Sequence, residues 1–276
     1  MLRIEDISYR AGRIKILDAL SCDILPGELT VLLGANGAGK STLLRLISGE
    51  RSPHAGKIWW GDRQLHSFAP AELARWRAVL TQHTVVSLPF TVEEIVLMGR
   101  YPHYRNSSSE KDRAIVAFCL EEMKVRHLAA RYFYTLSGGE QQRVHMARVL
   151  AQLRGREMDE DRMPGNSPGL LLLDEPTSSL DWQHQQLCLQ KARELAISGY
   201  TVVVVLHDLN LAAQFADRIL LLKNGRLLTA GEPGSVLIPE FIQAAYGINV
   251  TVFYPEGSPF PVVIPTTIKN EIYANN

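Results

Sequence analysis

Gly34-Ala35-Asn36-Gly37-Ala38-Gly39-Lys40-Ser41-Thr42 decides how the rest of this sequence is read. It fits the pattern G-x-x-x-x-G-K-[ST], set between an apolar run, Leu29 to Leu33, and a helical pattern, Ser41 to Ile47. Glycines at 34, 37 and 39 let the backbone curl until its N–H groups face one anion at the positive end of the helix. In such a loop Lys40 is expected to reach β- and γ-phosphates and the Ser41 hydroxyl to ligate Mg²⁺. With every fixed position filled in that context, a glycine-rich turn that binds nothing is the poorer reading. The chain is expected to bind a nucleoside triphosphate.

Two further stretches carry chemistry. Leu170-Leu171-Leu172-Leu173-Asp174-Glu175 is an apolar strand ending in two carboxylates. Only the C-terminal edge of a sheet can deliver a carboxylate to a ligand held on a neighbouring phosphate loop. Asp174 is expected to hold Mg²⁺ through water, and Glu175 to polarise the attacking water as general base. A solvated strand end would account for one acid alone. In Leu136-Ser137-Gly138-Gly139-Glu140, Ser137 is placed to cap a helix and the two glycines free its first N–H groups for an anion. One chain needs one phosphate cradle, so the second is expected to serve a nucleotide on another copy or a partner. An ordinary capped helix explains Ser137 and leaves the paired glycines unexplained.

The 276 residues suffice for one large α/β domain with a smaller inserted subdomain. Lys+Arg and Asp+Glu both number 29, so no general polyanion-binding surface is indicated. Cys22, Cys119 and Cys188 are sparse and lack metal-ligand spacing, as expected of buried small hydrophobes in a reducing compartment. The acids near Met1 do not suit a signal peptide, and no apolar run approaches the roughly 20 residues of a membrane span. A soluble, cytoplasmic chain is expected, held at any membrane by another chain.

Short strands, Leu2 to Ile4 and Ile14 to Leu17, suggest an antiparallel layer before the loop. Tyr9 in that layer suits either a base-stacking role or a plain strand aromatic. Gly56 to Trp60 and Val79 to Gln82 suggest strands. Helices are expected over Thr91 to Met98, Ser109 to Met123 and Ser137 to Leu153, the first two opened by capping boxes with Glu94 and Asp112. Arg154 to Gly169 is expected to be a polar surface loop. Leu170 to Leu173 and Val202 to Leu206 suit central parallel strands joined by a crossover helix, Asp181 to Ile197. Past Gly231, a short helix (Pro239 to Tyr246) and two strands (Asn249 to Phe253, Pro261 to Ile264) are expected.

Taken together, Gly34 to Thr42, Leu170 to Glu175 and Leu136 to Glu140 resemble the Walker A loop, Walker B strand and signature motif of ATP-binding-cassette ATPases. Gln82 resembles the family's Q-loop glutamine, Asp181 in Ser179-Leu180-Asp181 its D-loop, and His207 its switch histidine; Tyr9 matches its adenine-stacking aromatic. Ser179 stands where alanine is common. The resemblance implies an α/β fold: a P-loop NTPase core over residues 1–232 with an N-terminal antiparallel β layer and a helical subdomain inserted at about 83–153. An extension, 233–276, follows. It further implies catalytic roles for Glu175, His207 and Gln82, and Mg²⁺ held by Ser41, Gln82 and Asp174. Two copies would form a head-to-tail homodimer, each ATP lying between one copy's loop and the other's Ser137-Gly138-Gly139, with Asp181 crossing the interface.

The family offers two kinds of partner. One is a pair of membrane permease subunits at the cytoplasmic face of a bacterial inner membrane, fed by a periplasmic binding protein. The other is a ribosome or DNA, served by soluble relatives that usually carry two cassettes or a coiled-coil insertion. One cassette, no heptads and neutral charge favour the transporter and no nucleic-acid partner. Thr81 to His103 is similar to the matching segment in ATPases of iron–siderophore, haem and cobalamin importers. Gln82-His83, Gly99-Arg100-Tyr101-Pro102-His103 and the polar insertion before Leu170 lean towards the haem branch. His83 and His103 are not expected to bind cargo, because a motor on the cytoplasmic side has no need to.

Overall fold

Alternating side chains on the two faces of one sheet organise the molecule. The computed structural model describes residues 1–81, 86, 88–104, 106–155 and 167–266. Long strands β1 (Leu2–Ala11) and β2 (Ile14–Ile24) pair antiparallel, and β3 (Leu29–Leu33) runs through the glycine loop into α1 (Lys40–Ile47). β4 (Ala55–Trp60) and β5 (Arg63–Gln64) complete a four-stranded antiparallel sheet ordered β2-β1-β4-β5. After α2 (Pro70–Trp76) and β6 (Arg77–Leu80) come the helices α3 (Val92–Leu97), α4 (Glu110–Glu122) and α5 (Gly138–Leu153). The chain then alternates through β7 (Leu170–Asp174), α6 (Trp182–Ile197), β8 (Thr201–Val205), α7 (Leu209–Phe215), β9 (Arg218–Lys223) and β10 (Arg226–Gly231). It closes with α8 (Pro233–Val236), α9 (Pro239–Tyr246) and an antiparallel pair, β11 (Val250–Phe253) and β12 (Val262–Pro265).

The central sheet is ordered β10-β9-β3-β8-β7-β6, parallel except for the edge strand β10. Leu29, Val31, Leu33, Leu171, Leu173, Val202 and Val204 face one core shared with α3 to α7. Leu32, Leu170, Leu172, Val203 and Val205 face a second core, filled by α1 and the antiparallel layer. Burial on both faces is why β3, β7 and β8 are almost wholly apolar, with Thr30, Asp174 and Thr201 their polar members. The helices α3 to α5 have no core of their own and share the first one.

Most expected elements lie where the sequence places them, and two differences stand out. β1 and β2 are about three times as long as the short apolar runs suggest, because bulges at Ile4 to Tyr9 let a mixed polar pattern stay in register. β9 and β10 were not anticipated. Their signal is Asn224-Gly225, both at positive φ in a two-residue hairpin turn. The central sheet is therefore mixed at its edge. Gln82 and His83, and residues 156–166 of the expected polar loop, lie outside the described residues.

Candidate active site

Three parallel strands end side by side and present their C-terminal residues to one place. From β3 the chain enters the glycine loop, whose backbone is tightened by Ala38 N–H to Ala35 O at 3.1 Å. Gly39, at φ 101°, caps α1, so the first amides of that helix point out of the sheet edge. Lys40 is buried, and its Nζ donates to Gly34 O at 2.7 Å and Ala35 O at 3.2 Å. Burial lowers its pKa, and Glu175 and Asp174 work against that shift.

Asp174 ends β7 and accepts from Ser41 Oγ at 3.2 Å. Burial raises its carboxyl above the ordinary range; the Ser41 hydrogen bond opposes this, and the neighbouring Glu175 charge adds to it. A buried carboxylate touching a helix-start hydroxyl is a donor pair that suits a hard divalent cation. No group of three or more His, Cys, Asp or Glu able to hold a metal exists among the described residues. An ion there needs water and phosphate oxygens to complete its shell.

Glu175 follows at φ 51°, a sparsely populated conformation for a residue other than glycine. Its N–H bonds Val205 O at 3.2 Å, and its Oε1 lies 2.5 Å from His207 Nε2, two residues past β8. With the carboxylate ionised, the imidazole Nε2–H is the donor. The base candidate is thus held at both ends, by the next strand's carbonyl and by the histidine.

Lys40, Ser41, Asp174, Glu175 and His207 are therefore brought together at one sheet edge. Tyr9 stands on β1 opposite Leu17, with its ring 5.0 Å from His54 and its hydroxyl accepting from Arg51. Ser137 caps α5 in a capping box with Glu140, and Leu136 O accepts from Gln141. Gly139 has a reason within the chain: a Cβ there would stand 3.1 Å from Ser179 O. Gly138 has none, since a Cβ would find only an ordinary contact at 3.8 Å. Asp181 is exposed and caps α6, accepting from His184 N–H at 2.9 Å. Among the described residues, no hydrogen bond joins Leu136 to Glu140, or Asp181, to the glycine loop of the same chain.

Two contacts escaped the sequence reading. Gln142 donates to Pro176 O at 3.1 Å, tying α5 to the residue after Glu175. Tyr246 accepts from Gly34 N–H. Neither has a local pattern to announce it. His103 bonds Gln152 O at 2.7 Å, a packing role within the helical block.

An ABC transporter family model matches residues 17–155. Hemin import ATP-binding protein HmuV of Bradyrhizobium diazoefficiens is 44% identical over 269 residues, covering 98% of this chain and 96% of the relative. The chain belongs to the ABC transporter ATPase family. The relative of the same name from Pseudomonas aeruginosa is 46% identical over 252 residues, 91% of this chain and 94% of that one. Among solved structures, a metal-chelate type ABC transporter described as inward-facing superposes with TM-score 0.78 at 28% identity, covering 97% of this chain and 98% of that one. A bacterial ABC transporter cassette solved as a dimer gives TM-score 0.71 at 28% identity, over 84% of this chain and 99% of that one. This cassette therefore has the P-loop ABC fold and binds and hydrolyses ATP. No helix among its described residues is long and apolar enough to cross a membrane.

The cassette's raised Asp174 pKa has a testable consequence. A carboxylate whose folded pKa lies above its unfolded value weakens the fold at neutral pH, and the penalty fades as pH falls through the folded pKa. Asp174→Asn should therefore leave the nucleotide-free melting temperature unchanged or raise it by about 1–4 °C. It should also sharply reduce the extra stabilisation by MgATP. Thermal melts with and without MgATP test both parts; a destabilised nucleotide-free variant would contradict the assignment.

Proposed function

We propose that this chain is the ATP-hydrolysing subunit of a haem importer, held at the cytoplasmic face of a bacterial inner membrane by two permease subunits. Supply of cargo by a periplasmic binding protein is part of the same reading. The observation that carries the hydrolytic part is the meeting of Lys40, the Ser41–Asp174 pair and the Glu175–His207 pair at one sheet edge. Full-length similarity to hemin import ATP-binding proteins supports the cargo.

In this reading the amides of the Gly34–Thr42 loop that are not already bonded within the chain, together with the Lys40 ammonium, bind the phosphate chain, and Tyr9 stacks on the adenine. Ser41 and Asp174, with Gln82, hold Mg²⁺, which supplies positive charge against the phosphate oxygens when bound. Glu175 takes the proton of the attacking water, and His207 orients Glu175 and contacts the γ-phosphate. Residues 1–232 form the cassette, with 83–153 the helical subdomain and 233–276 an extension. Two copies close head to tail, so that Ser137, Gly138 and Gly139 of one seal the nucleotide of the other, with Asp181 at the interface. The unneeded space beside Gly138 supports that role, as does an N-terminus of α5 that, among the described residues, makes no hydrogen bond to the glycine loop of its own chain.

Transport by the reconstituted complex tests the cargo. The cassette with its cognate permease and binding protein in proteoliposomes should accumulate haem only with ATP. ATP-driven uptake of a ferric siderophore or cobalamin, with none of haem, would overturn it.

A further inference from the structure

We infer that the Tyr246 hydroxyl is a positioning group for the phosphate loop, through which the segment after residue 232 sets the cassette's affinity for ATP. This rests on Gly34–Thr42 being the ATP site.

The geometry is a short relay. Helix α9 starts at Pro239, which needs no partner for its missing N–H, and stops at Gly247 in a left-handed cap, φ 73°. Both ends being fixed, the last helical side chain, Tyr246, is held in one place. Its hydroxyl accepts from Gly34 N–H at 2.9 Å, across 212 residues of sequence. Burial pushes the phenol up to about 12, so the hydroxyl stays neutral and available at physiological pH.

Gly34 has little freedom to do otherwise. It sits at φ 143°, and a Cβ there would stand 2.4 Å from Leu222 O on β9. Its N–H is gripped by Tyr246, and its carbonyl accepts from Lys40 Nζ at 2.7 Å. Orienting one residue's amide therefore orients the oxygen on which the phosphate-binding lysine rests. The same tail grips the other side of the site. Asn210, on the helix that follows His207, bonds Val263 O at 3.2 Å through Nδ2 and Val263 N–H at 2.8 Å through Oδ1.

Without the hydroxyl, the loop's first N–H must shift or stay unpaired while the ring still fills its place. The test is ATP binding by the full chain, followed with a fluorescent ATP analogue, alongside nucleotide-free melting. Tyr246→Phe should weaken binding about 3–10-fold, the size expected for loss of one buried hydrogen bond. Phe241→Leu, a core change on the same helix, should lower the melting temperature and leave the affinity within about twofold. A Tyr246→Phe protein that binds like the parent, or a Phe241→Leu protein that loses as much affinity, would overturn the inference. Lys40→Ala separates the two levels. Full ATP binding in that variant would refute the site assignment itself, and loss there beside an unaffected Tyr246→Phe would refute only the role of the tyrosine.

Discussion

Glu175→Gln is expected to slow ATP turnover by about 10²–10⁴-fold, the range for removing a positioned general base. The substitution keeps shape and hydrogen bonding. An amide oxygen can still accept from His207, and the backbone bond to Val205 O is untouched. Lys40, Ser41 and Asp174 do not depend on the Glu175 charge for their contacts, so ATP affinity should stay close to that of the parent. What disappears is the proposed capacity to take a proton from water beside the γ-phosphate. Phosphate release measured next to ATP binding separates the two. Turnover within a few-fold of the parent would remove Glu175 from the chemical step.

Arg100→Leu should have the largest effect on stability, about 3–5 kcal/mol, because it strands a buried partner charge. Arg100 is 2% exposed in the turn after α3. Its Nε donates to Asp112 Oδ1 at 2.9 Å, and its Nη1 donates to Ala151 O at 2.6 Å and Arg154 O at 2.5 Å. One guanidinium thus joins that turn, the start of α4 and the end of α5. Leucine would fill much of the space and leave a carboxylate and two carbonyls without their donor. Burial pushes the Asp112 carboxyl up, and hydrogen bonds from Ser109 and Arg100 more than reverse it, leaving it below the ordinary range. A depressed folded pKa contributes stability that is present above the unfolded value and lost as pH falls through the folded one. The gap between parent and variant in urea midpoints should therefore be wide at neutral pH and narrow in strong acid. A gap independent of pH would mean that packing, and not charge, dominates at Arg100.

What could be seen in the sequence was what depends on neighbours along the chain. The glycine loop, the doubly buried runs of β7 and β8, and the caps at Thr91, Ser109 and Ser137 are all local patterns, and each formed as expected. The pairing of Glu175 with His207 was not visible, because it follows from β7 and β8 being adjacent and in register. Tyr246 and Gly34 meet only after the sheet and the tail have both folded. Gly139 has a further reason that only the fold shows: a Cβ there would crowd Ser179 O at 3.1 Å. Arg100 belonged to a stretch singled out for its family likeness, and in the structure it is a buried rivet.

In the proposed dimer the phosphate loop is half of a site whose other half is Ser137-Gly138-Gly139 of a second copy. Its most direct test is the solution mass of the Glu175→Gln protein with and without MgATP, repeated in the double variant carrying Ser137→Arg. MgATP should double the mass of Glu175→Gln, and the double variant should bind ATP and stay monomeric. An ATP-bound Glu175→Gln protein that remains a monomer, or a dimer that forms in spite of Ser137→Arg, would contradict it.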